Sequence, residues 1–266
     1  MIKQNCRELT VLEVTPFGQS RGEDGEPLFF ELRLTSPGWE MWRPGQFVML
    51  RPHGLEPEAL WARAFSIAWA DQDTLRVCIQ IAGRATKRMA RLKPGEKVTT
   101  WGPLGNVFMV EPDTPTLILA GGIGIAPFMG YVRNHPKPEN LQMVFGLRRE
   151  PECYPFDFFS ERIKSDCFVE RSPEDLERFI ALLQERMEEV APKGLVLCCG
   201  PTPLMRTVQR LAKELDVRTQ LSLETRMVCG VGACLSCVCK DPEGRNLPTC
   251  SKGPIFWAHK VDLSGC

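Results

Sequence analysis

The hydrophobic pattern changes period once along the chain, and that change limits the possible folds more than any other feature. Over the first hundred residues apolar and polar positions alternate in short runs: "PLFFELRLT" (27–35), "QFVML" (46–50), "AFSIAWA" (64–70) and "TLRVCIQIAG" (74–83). Alternation with period two puts one face of each run inward, and several such runs divided by Pro, Gly and Asp turns predict an antiparallel sheet or barrel. A single helical signal interrupts them, "TKRMARLKPG" (86–95), stopped by a Pro-Gly pair. Beyond the polar linker "EPDTP" (111–115) the apolar runs become continuous: "TLILAGG" (116–122), "LQMVFGL" (141–147), "DCFVER" (166–171), "GLVLCCG" (194–200) and "VRTQLSLE" (217–224). Helical segments separate them, from about Ala126 to Asn134 and over 172–190, the latter with Ser172 placed to cap it and Pro173 at its first position. Continuous apolar strands alternating with helices predict a parallel sheet covered on both faces. The expected class is therefore β followed by α/β, with segments 1–111, 112–223 and a cysteine-bearing tail, 224–266.

Composition removes several partner classes. Lys plus Arg and Asp plus Glu number 33 each and are spread along the chain, so no basic patch points to nucleic acid or an anionic membrane surface. No apolar run has the length of a bilayer span, and the first residues, "MIKQNCRELTVLEV", lack the apolar core and cleavage site of a secretory signal. The expected location is the cytoplasm, where the twelve cysteines have no need to form disulfides.

Their distribution matters more than their number. Cys229, Cys234 and Cys237 stand in Cx4Cx2C spacing within "MVCGVGACLSCVCK", and Cys250 follows at a distance, the plant-type [2Fe-2S] pattern. Two bridged irons need four thiolates, so the chain must wrap around the cluster, and Gly230 and Gly232 supply the backbone freedom for it. Cys239, two positions past Cys237, is expected to point away as a non-ligand. A zinc site also takes four thiolates, but it usually uses two CxxC pairs or a Cys/His set, and the spacing here favours iron-sulfur.

Two further signals are weaker alone. Gly122, Gly124 and Pro127 form GxGxxP where an apolar strand gives way to a helix, a turn that lets backbone approach a pyrophosphate. A second such turn carries Cys199, Gly200 and Pro201 in "LCCGPTPLM" (197–205) and is expected to lie beside the first. In the β segment, "RAFS" (63–66) offers an arginine and a hydroxyl suited to phosphate or the polar edge of a flavin, and "AGRAT" (82–86) runs into a helix as a second candidate anion site.

Taken in order, these segments resemble the ferredoxin reductase superfamily, and within it the electron-transfer subunits of class 1B dihydroorotate dehydrogenases. "RPGQFVML", "RAFSIA", "AGRATKRMARLKPGEKV", "GPLGNVF", "LAGGIGIAPF", "CCGPTPLM", "SLETRMVCGVGACLSCVCK" and "KGPIF" follow one another as in those subunits. The resemblance implies an FAD-binding antiparallel β-barrel over 1–111, an NAD-binding α/β domain over 112–223 and a [2Fe-2S] subdomain over 224–266. It places Arg63, Ala64, Phe65 and Ser66 on the flavin motif. Ile79, Gln80, Ala85 and Thr86 fall on the segments lining the isoalloxazine and pyrophosphate, and Cys229, Cys234, Cys237 and Cys250 on the cluster ligands. Ala64 stands where the family usually has Pro and Ala85 where it usually has Gly, departures that change loop stiffness without removing a polar group.

The activity so implied is a relay between NAD and a separate FMN-containing subunit that oxidises dihydroorotate to orotate in pyrimidine biosynthesis, in a heterotetramer with two subunits of each kind. Related NAD(P)H-dependent subunits serving a sulfide dehydrogenase, a ferredoxin-NADP oxidoreductase or a hydrogenase are the alternative. Arg148 and Arg149, just past the second strand of the nucleotide segment, keep NADP open. A non-enzymatic zinc or redox sensor is the alternative of another class.

Overall fold

In the computed structural model residues 5–19, 25, 27–54 and 61–264 are described. The N-terminal segment forms strands β1 (Asn5–Pro16), β2 (Phe29–Thr35), β3 (Phe47–Pro52), β4 (Arg63–Ser66), β5 (Trp69–Ala70), β6 (Thr74–Gln80) and β7 (Lys97–Leu104), with helix α1 (Arg84–Ala90) between the last two. They make one antiparallel seven-stranded sheet in the order β4-β3-β7-β1-β2-β6-β5. Its edge strands β4 and β5 are consecutive in the chain, joined only by the fully buried Ile67 and Ala68, so the sheet must curl round until its edges approach. Among the described residues the paired strands leave it a curled sheet, with no ladder joining β4 to β5. Phe30, Leu32, Leu34, Val48, Leu50, Leu75, Val77 and Ile79, alternate residues of their strands, fill the inside.

Strands β1 and β7 were not among the predicted runs. In β1 the register against β2 shifts between Val11 and Glu13, and such a bulge breaks the alternation on which the prediction rests. The helix predicted over 86–95 starts earlier and ends at Ala90. Its start is fixed by Thr86, whose hydroxyl accepts the backbone N–H groups of Ala82 (2.9 Å) and Gly83 (3.1 Å).

The second segment alternates as its continuous apolar runs require: β8 (Thr116–Gly121), α2 (Ala126–Asn134), β9 (Leu141–Leu147), α3 (Phe156–Ser160), β10 (Lys164–Val169), α4 (Pro173–Val190), β11 (Leu195–Cys199), α5 (Thr202–Glu214) and β12 (Arg218–Ser222). These five strands are mutually parallel, in the order β10-β9-β8-β11-β12. Leu117 and Leu119 of β8 face a core shared with Leu183 and Met187 of α4 and Val208 and Leu211 of α5. Ile118 and Ala120 face the other way, onto Phe128 and Tyr131 of α2 and Phe159 of α3. Helix α4 begins as its sequence predicts. Ser172 precedes Pro173, and the Asp175 carboxylate accepts the Ser172 N–H at 3.1 Å.

The tail leaves β12, forms a small hairpin of β13 (Val238–Lys240) and β14 (Asn246–Pro248), turns through α6 (Thr249–Lys252) and returns as β15 (Ile255–Trp257). Strand β15 pairs antiparallel with β12 and becomes the sixth strand of the parallel sheet. Beyond it Ala258, Val261 and Leu263 complete the core over α5, where Gln209 donates to the carbonyls of Ala258 (2.6 Å) and Val261 (2.8 Å). No helix among the described residues is long and apolar enough to cross a membrane.

The two sheets meet along a tight seam. Asn106, just after β7, donates to the Ile255 carbonyl at 2.6 Å and accepts its N–H at 2.9 Å, and the Tyr131 hydroxyl donates to the Met109 carbonyl at 2.9 Å. Helix α2 approaches so closely that a Cβ on Gly130 would lie 2.4 Å from Cη2 of Trp42. That indole cannot easily yield, because its Nε1 donates to the Ala70 carbonyl at 2.5 Å and its ring packs edge-on against Trp69. Ala gains about 1 kcal/mol over Gly in a helix, whereas overpacking costs ~1–3 kcal/mol, so Gly130→Ala is expected to destabilise the fold by up to about 2 kcal/mol. Urea denaturation measures this; a penalty that does not shrink when Trp42→Phe removes the outer ring would refute the explanation.

Candidate functional site

A cleft of about 640 Å³ opens between the curled sheet and the α/β unit. Strand β4 lines it with Arg63, Ala64, Phe65 and Ser66, β6 with Cys78 and Gln80, and the start of α1 with Ala85 and Thr86. Seven of the eight residues that the resemblance places beside a flavin therefore converge. Ile79 does not. Between Cys78 and Gln80 the strand's period turns it inward, where it is fully buried in the core of the curled sheet, so its side chain is kept from the cleft. Arg63 is exposed, and its Nη1 donates to the carbonyls of Trp61 (2.8 Å) and Ala62 (3.2 Å), which fixes the guanidinium at the cleft mouth. The Thr86 hydroxyl is committed to its own helix cap, so what α1 offers the cleft at that point is backbone.

The opposite wall comes from Ile123 and Ala126 and from residues 222–228, which leave β12 and run toward the clustered thiols. The resemblance includes this segment within "SLETRMVCGVGACLSCVCK", but none of residues 222–228 is assigned a place beside the flavin there, since the segment has no period of its own. Glu224 is open to solvent in the cleft, yet protein surrounds most of it, and that burial raises its carboxyl pKa.

The glycine-rich turns lie beside each other; Ile123 and Ala126 of the first line the cleft, whereas Gly122, Gly124, Pro127, Cys199, Gly200 and Pro201 do not. Strand β8 ends at Gly121, a short 3₁₀ turn follows over Gly122–Ile125, and α2 begins with Pro127 buried in its first turn. The two glycines of the turn serve different needs. Gly124 is forced by packing, because a Cβ there would lie 2.4 Å from the Cys199 carbonyl oxygen and 2.8 Å from Gly200 Cα. Gly122 has φ of +53° and open space where its Cβ would stand, so conformation requires it, and the space beside it remains available to a ligand. Cys199 is buried, its thiol pKa raised well above the usual range by burial, and Gly200 and Pro201 carry the chain into α5. Gly122, Gly124 and Pro127 thus meet Cys199, Gly200 and Pro201 at the carboxyl ends of β8 and β11.

The tail thiols rest on the curled sheet. Cys237 and Cys250 are buried in a cluster with Phe47, Met49 and Leu104. Cys229 is half-buried and Cys234 exposed, and the Trp101 indole donates to the Cys229 carbonyl at 3.1 Å. Gly230 and Gly232 both have positive φ, +73° and +80°, and a Cβ on Gly230 would lie 2.7 Å from Met49 Cγ. The turns aim amides at sulfur: the Gly232 N–H donates to Cys250 Sγ at 3.1 Å and the Val231 N–H to Cys229 Sγ at 3.4 Å. The Cys250 N–H donates to Cys237 Sγ at 3.4 Å, and the Cys234 thiol lies within hydrogen-bonding reach of Cys229. Burial alone would raise the Cys229 pKa, but the Val231, Cys234 and Ala233 N–H groups and the Cys234 thiol outweigh it and bring it to about 6. Burial, with the Cys237 thiol, pushes Cys250 up to about 12. Among the described residues no three or more His, Cys, Asp or Glu side chains form a group placed to hold a metal ion. Cys239 faces the other way, buried against the core of the α/β unit, with its Sγ toward the Leu247 carbonyl at 3.5 Å.

Comparison with known proteins agrees with this layout. Residues 224–262 match the family model for the iron-sulfur cluster binding domain of dihydroorotate dehydrogenase B. The chain is 30% identical over 241 residues to the electron transfer subunit of dihydroorotate dehydrogenase B (NAD(+)) of Caldanaerobacter subterraneus subsp. tengcongensis, a match covering 86% of this chain and 94% of that one. It is 32% identical over 226 residues to the probable equivalent of Methanocaldococcus jannaschii, covering 82% and 80%. Among solved structures, an NADH-dependent reduced ferredoxin-NADP oxidoreductase superposes with a TM-score of 0.79 at 22% identity, over 96% of this chain and 90% of that one, and shares the fold. At this identity and coverage the chain belongs to the family of dihydroorotate dehydrogenase B electron transfer subunits.

Proposed function

We propose that this chain relays electrons between a nicotinamide dinucleotide and a partner dehydrogenase, with FAD held in the cleft and a [2Fe-2S] cluster held by Cys229, Cys234, Cys237 and Cys250. The observation that carries the reading is the continuity of residues 222–229, which wall the cleft at one end and reach the first thiol at the other. When bound, FAD exchanges a hydride with nicotinamide and releases electrons singly, and the cluster carries one electron at a time.

The residues present fit both groups. Two irons call for thiolates in twos, which the pairs Cys229 with Cys234 and Cys237 with Cys250 supply. A lone zinc ion would draw all four to one point. The amides of Val231 and Gly232 stabilise sulfur in its anionic form. In the cleft, Arg63 presents a fixed cation for a pyrophosphate, Ala64 and Phe65 give apolar wall, and Ser66 and Gln80 offer hydrogen bonds to a flavin's polar edge. The open space beside Gly122 and the N-terminus of α2 suit the dinucleotide's pyrophosphate.

The partner in this reading is the FMN-containing subunit that oxidises dihydroorotate, assembled two with two. Its support is the family itself and the surface around the thiols. Exposed Cys234 stands between Val231 (48% exposed) and Leu235 (59% exposed), apolar side chains that a bare surface does not favour at this density. Leu235 also has φ of +55°, a left-handed backbone that costs a branched residue about 1 kcal/mol or more.

Purified protein without flavin absorbance, iron or acid-labile sulfide would overturn the reading. Cys234→Ser is expected to lose the cluster or hold it weakly, and Cys239→Ser to keep the full iron and sulfide content. Bleaching by the Cys239 change would show the ligand set to be wrong. Arg63→Ala is expected to weaken FAD binding by about 10- to 100-fold, the range for a lost charge-assisted hydrogen bond. Fluorescence titration of the apoprotein with FAD reads this directly, and an unchanged affinity would remove Arg63 from the site.

A further inference from the structure

Trp61 is 62% exposed, more than any other large apolar side chain among the described residues, and it stands in the lining of the cleft. Single exposed apolar residues are ordinary on a protein surface. This one is the broadest flat ring in the lining, and it follows directly on the strand that carries Arg63 and Ser66.

The course of β4 gives the exposure a direction. Ser66 pairs with Phe47 and Arg63 with Leu50, and beyond Ser66 the chain passes into Ile67 and Ala68, both fully buried, the latter against Ala126 of α2. Ser66 therefore marks the inner end of this wall and Trp61 the outer. At about 3.3 Å per residue, Arg63 lies about 10 Å out from Ser66 and Trp61 about 7 Å further. Ala62, between them, turns the opposite way and is buried with Met49 and Cys237 in the cluster under the thiols, while Trp61 and Arg63 share the cleft side. The same guanidinium fixes both: Arg63 Nη1 donates to the carbonyls of Trp61 (2.8 Å) and Ala62 (3.2 Å), so cation and ring are held in one local frame.

A flavin mononucleotide with its ring edge at Ser66 and its phosphate at Arg63 ends at the arginine. A flavin dinucleotide continues past its phosphates into an adenosine, and the next surface along that line is the indole. A purine offers a flat π-face, which aromatic side chains bind by stacking without needing a particular hydrogen bond. Arg63 cannot tell the two flavins apart, since both bring phosphate to it. We propose that Trp61 stacks on the adenine of the bound flavin and so makes the cleft select FAD over FMN. The inference rests on the reading of this cleft as the flavin site and assigns its outer end.

The test titrates the flavin-depleted full chain, still carrying its cluster, with FAD and with FMN, by flavin fluorescence and calorimetry, for the wild type, Trp61→Ala and Trp61→Phe. The wild type is expected to bind FAD about tenfold or more tightly than FMN, and Trp61→Ala to weaken FAD by about 5- to 100-fold while FMN affinity stays within about twofold. Trp61→Phe, which keeps a ring, is expected to recover most of the FAD affinity. The unchanged FMN affinity shows that the Ala variant is folded and that its cleft is intact. Equal loss of both flavins would make Trp61 a structural residue and overturn the proposal. So would an FAD affinity untouched by Trp61→Ala, which would instead place the indole with the apolar surface around Cys234. A wild type that binds neither flavin overturns the underlying reading and the proposal together.

Discussion

The arrangement of the site depends on the return of the tail to the sheet it leaves. The chain departs from β12 after Ser222 and comes back as β15, where Ser222 pairs with Ile255 and the Leu223 N–H donates to the Pro254 carbonyl at 2.8 Å. Everything that could hold a cluster, and one wall of the cleft, lies on the excursion between those two points. Closing a loop of some thirty residues costs about 3 kcal/mol in its length-dependent part. Burial of Ile255, Phe256, Val261 and Leu263 offsets this, at roughly 1.5–3 kcal/mol for each side chain. The closed form wins because the return strand brings a core with it. Once the ends are pinned, Cys250 has little choice but to stand near Cys229 and Cys237.

The excursion is also held from the side. Met49 and Leu104 of the curled sheet pack where Gly230 has no side chain, and Phe47 and Met49 share the buried cluster of Cys237 and Cys250. One face of β3 and β7 therefore supports the thiol loop, while β4, hydrogen-bonded to β3, lines the cleft. Cleft and thiols thus share a scaffold one strand apart.

Much of this was legible in the sequence because it rests on periods and spacings. The parallel strands announced themselves as continuous apolar runs, α2 as a helix following a glycine turn, and the thiol spacing separated Cys239 from its neighbours. What escaped depended on tertiary contacts. The bulge in β1 hid its alternation, and residues 222–228 have no pattern because their role is set by what lies across the cleft. Ile79 shows the limit of carrying a segment over whole. The segment reaches the cleft, but pleating hands only Cys78 and Gln80 to it.

The glycines of the turn after β8 show why a motif must be divided by cause. Gly124 lets β11 and the turn touch, since any side chain would meet the Cys199 carbonyl, and its replacement would separate two strand ends whatever the ligand. Gly122 touches nothing at its Cβ position and has a left-handed backbone. One glycine builds the crevice between β8 and β11, and the other leaves it open. With the sheet order reversing between those strands, the crevice lies between the cleft lined by Ile123 and Ala126 and the arginine-bearing edge beyond β9.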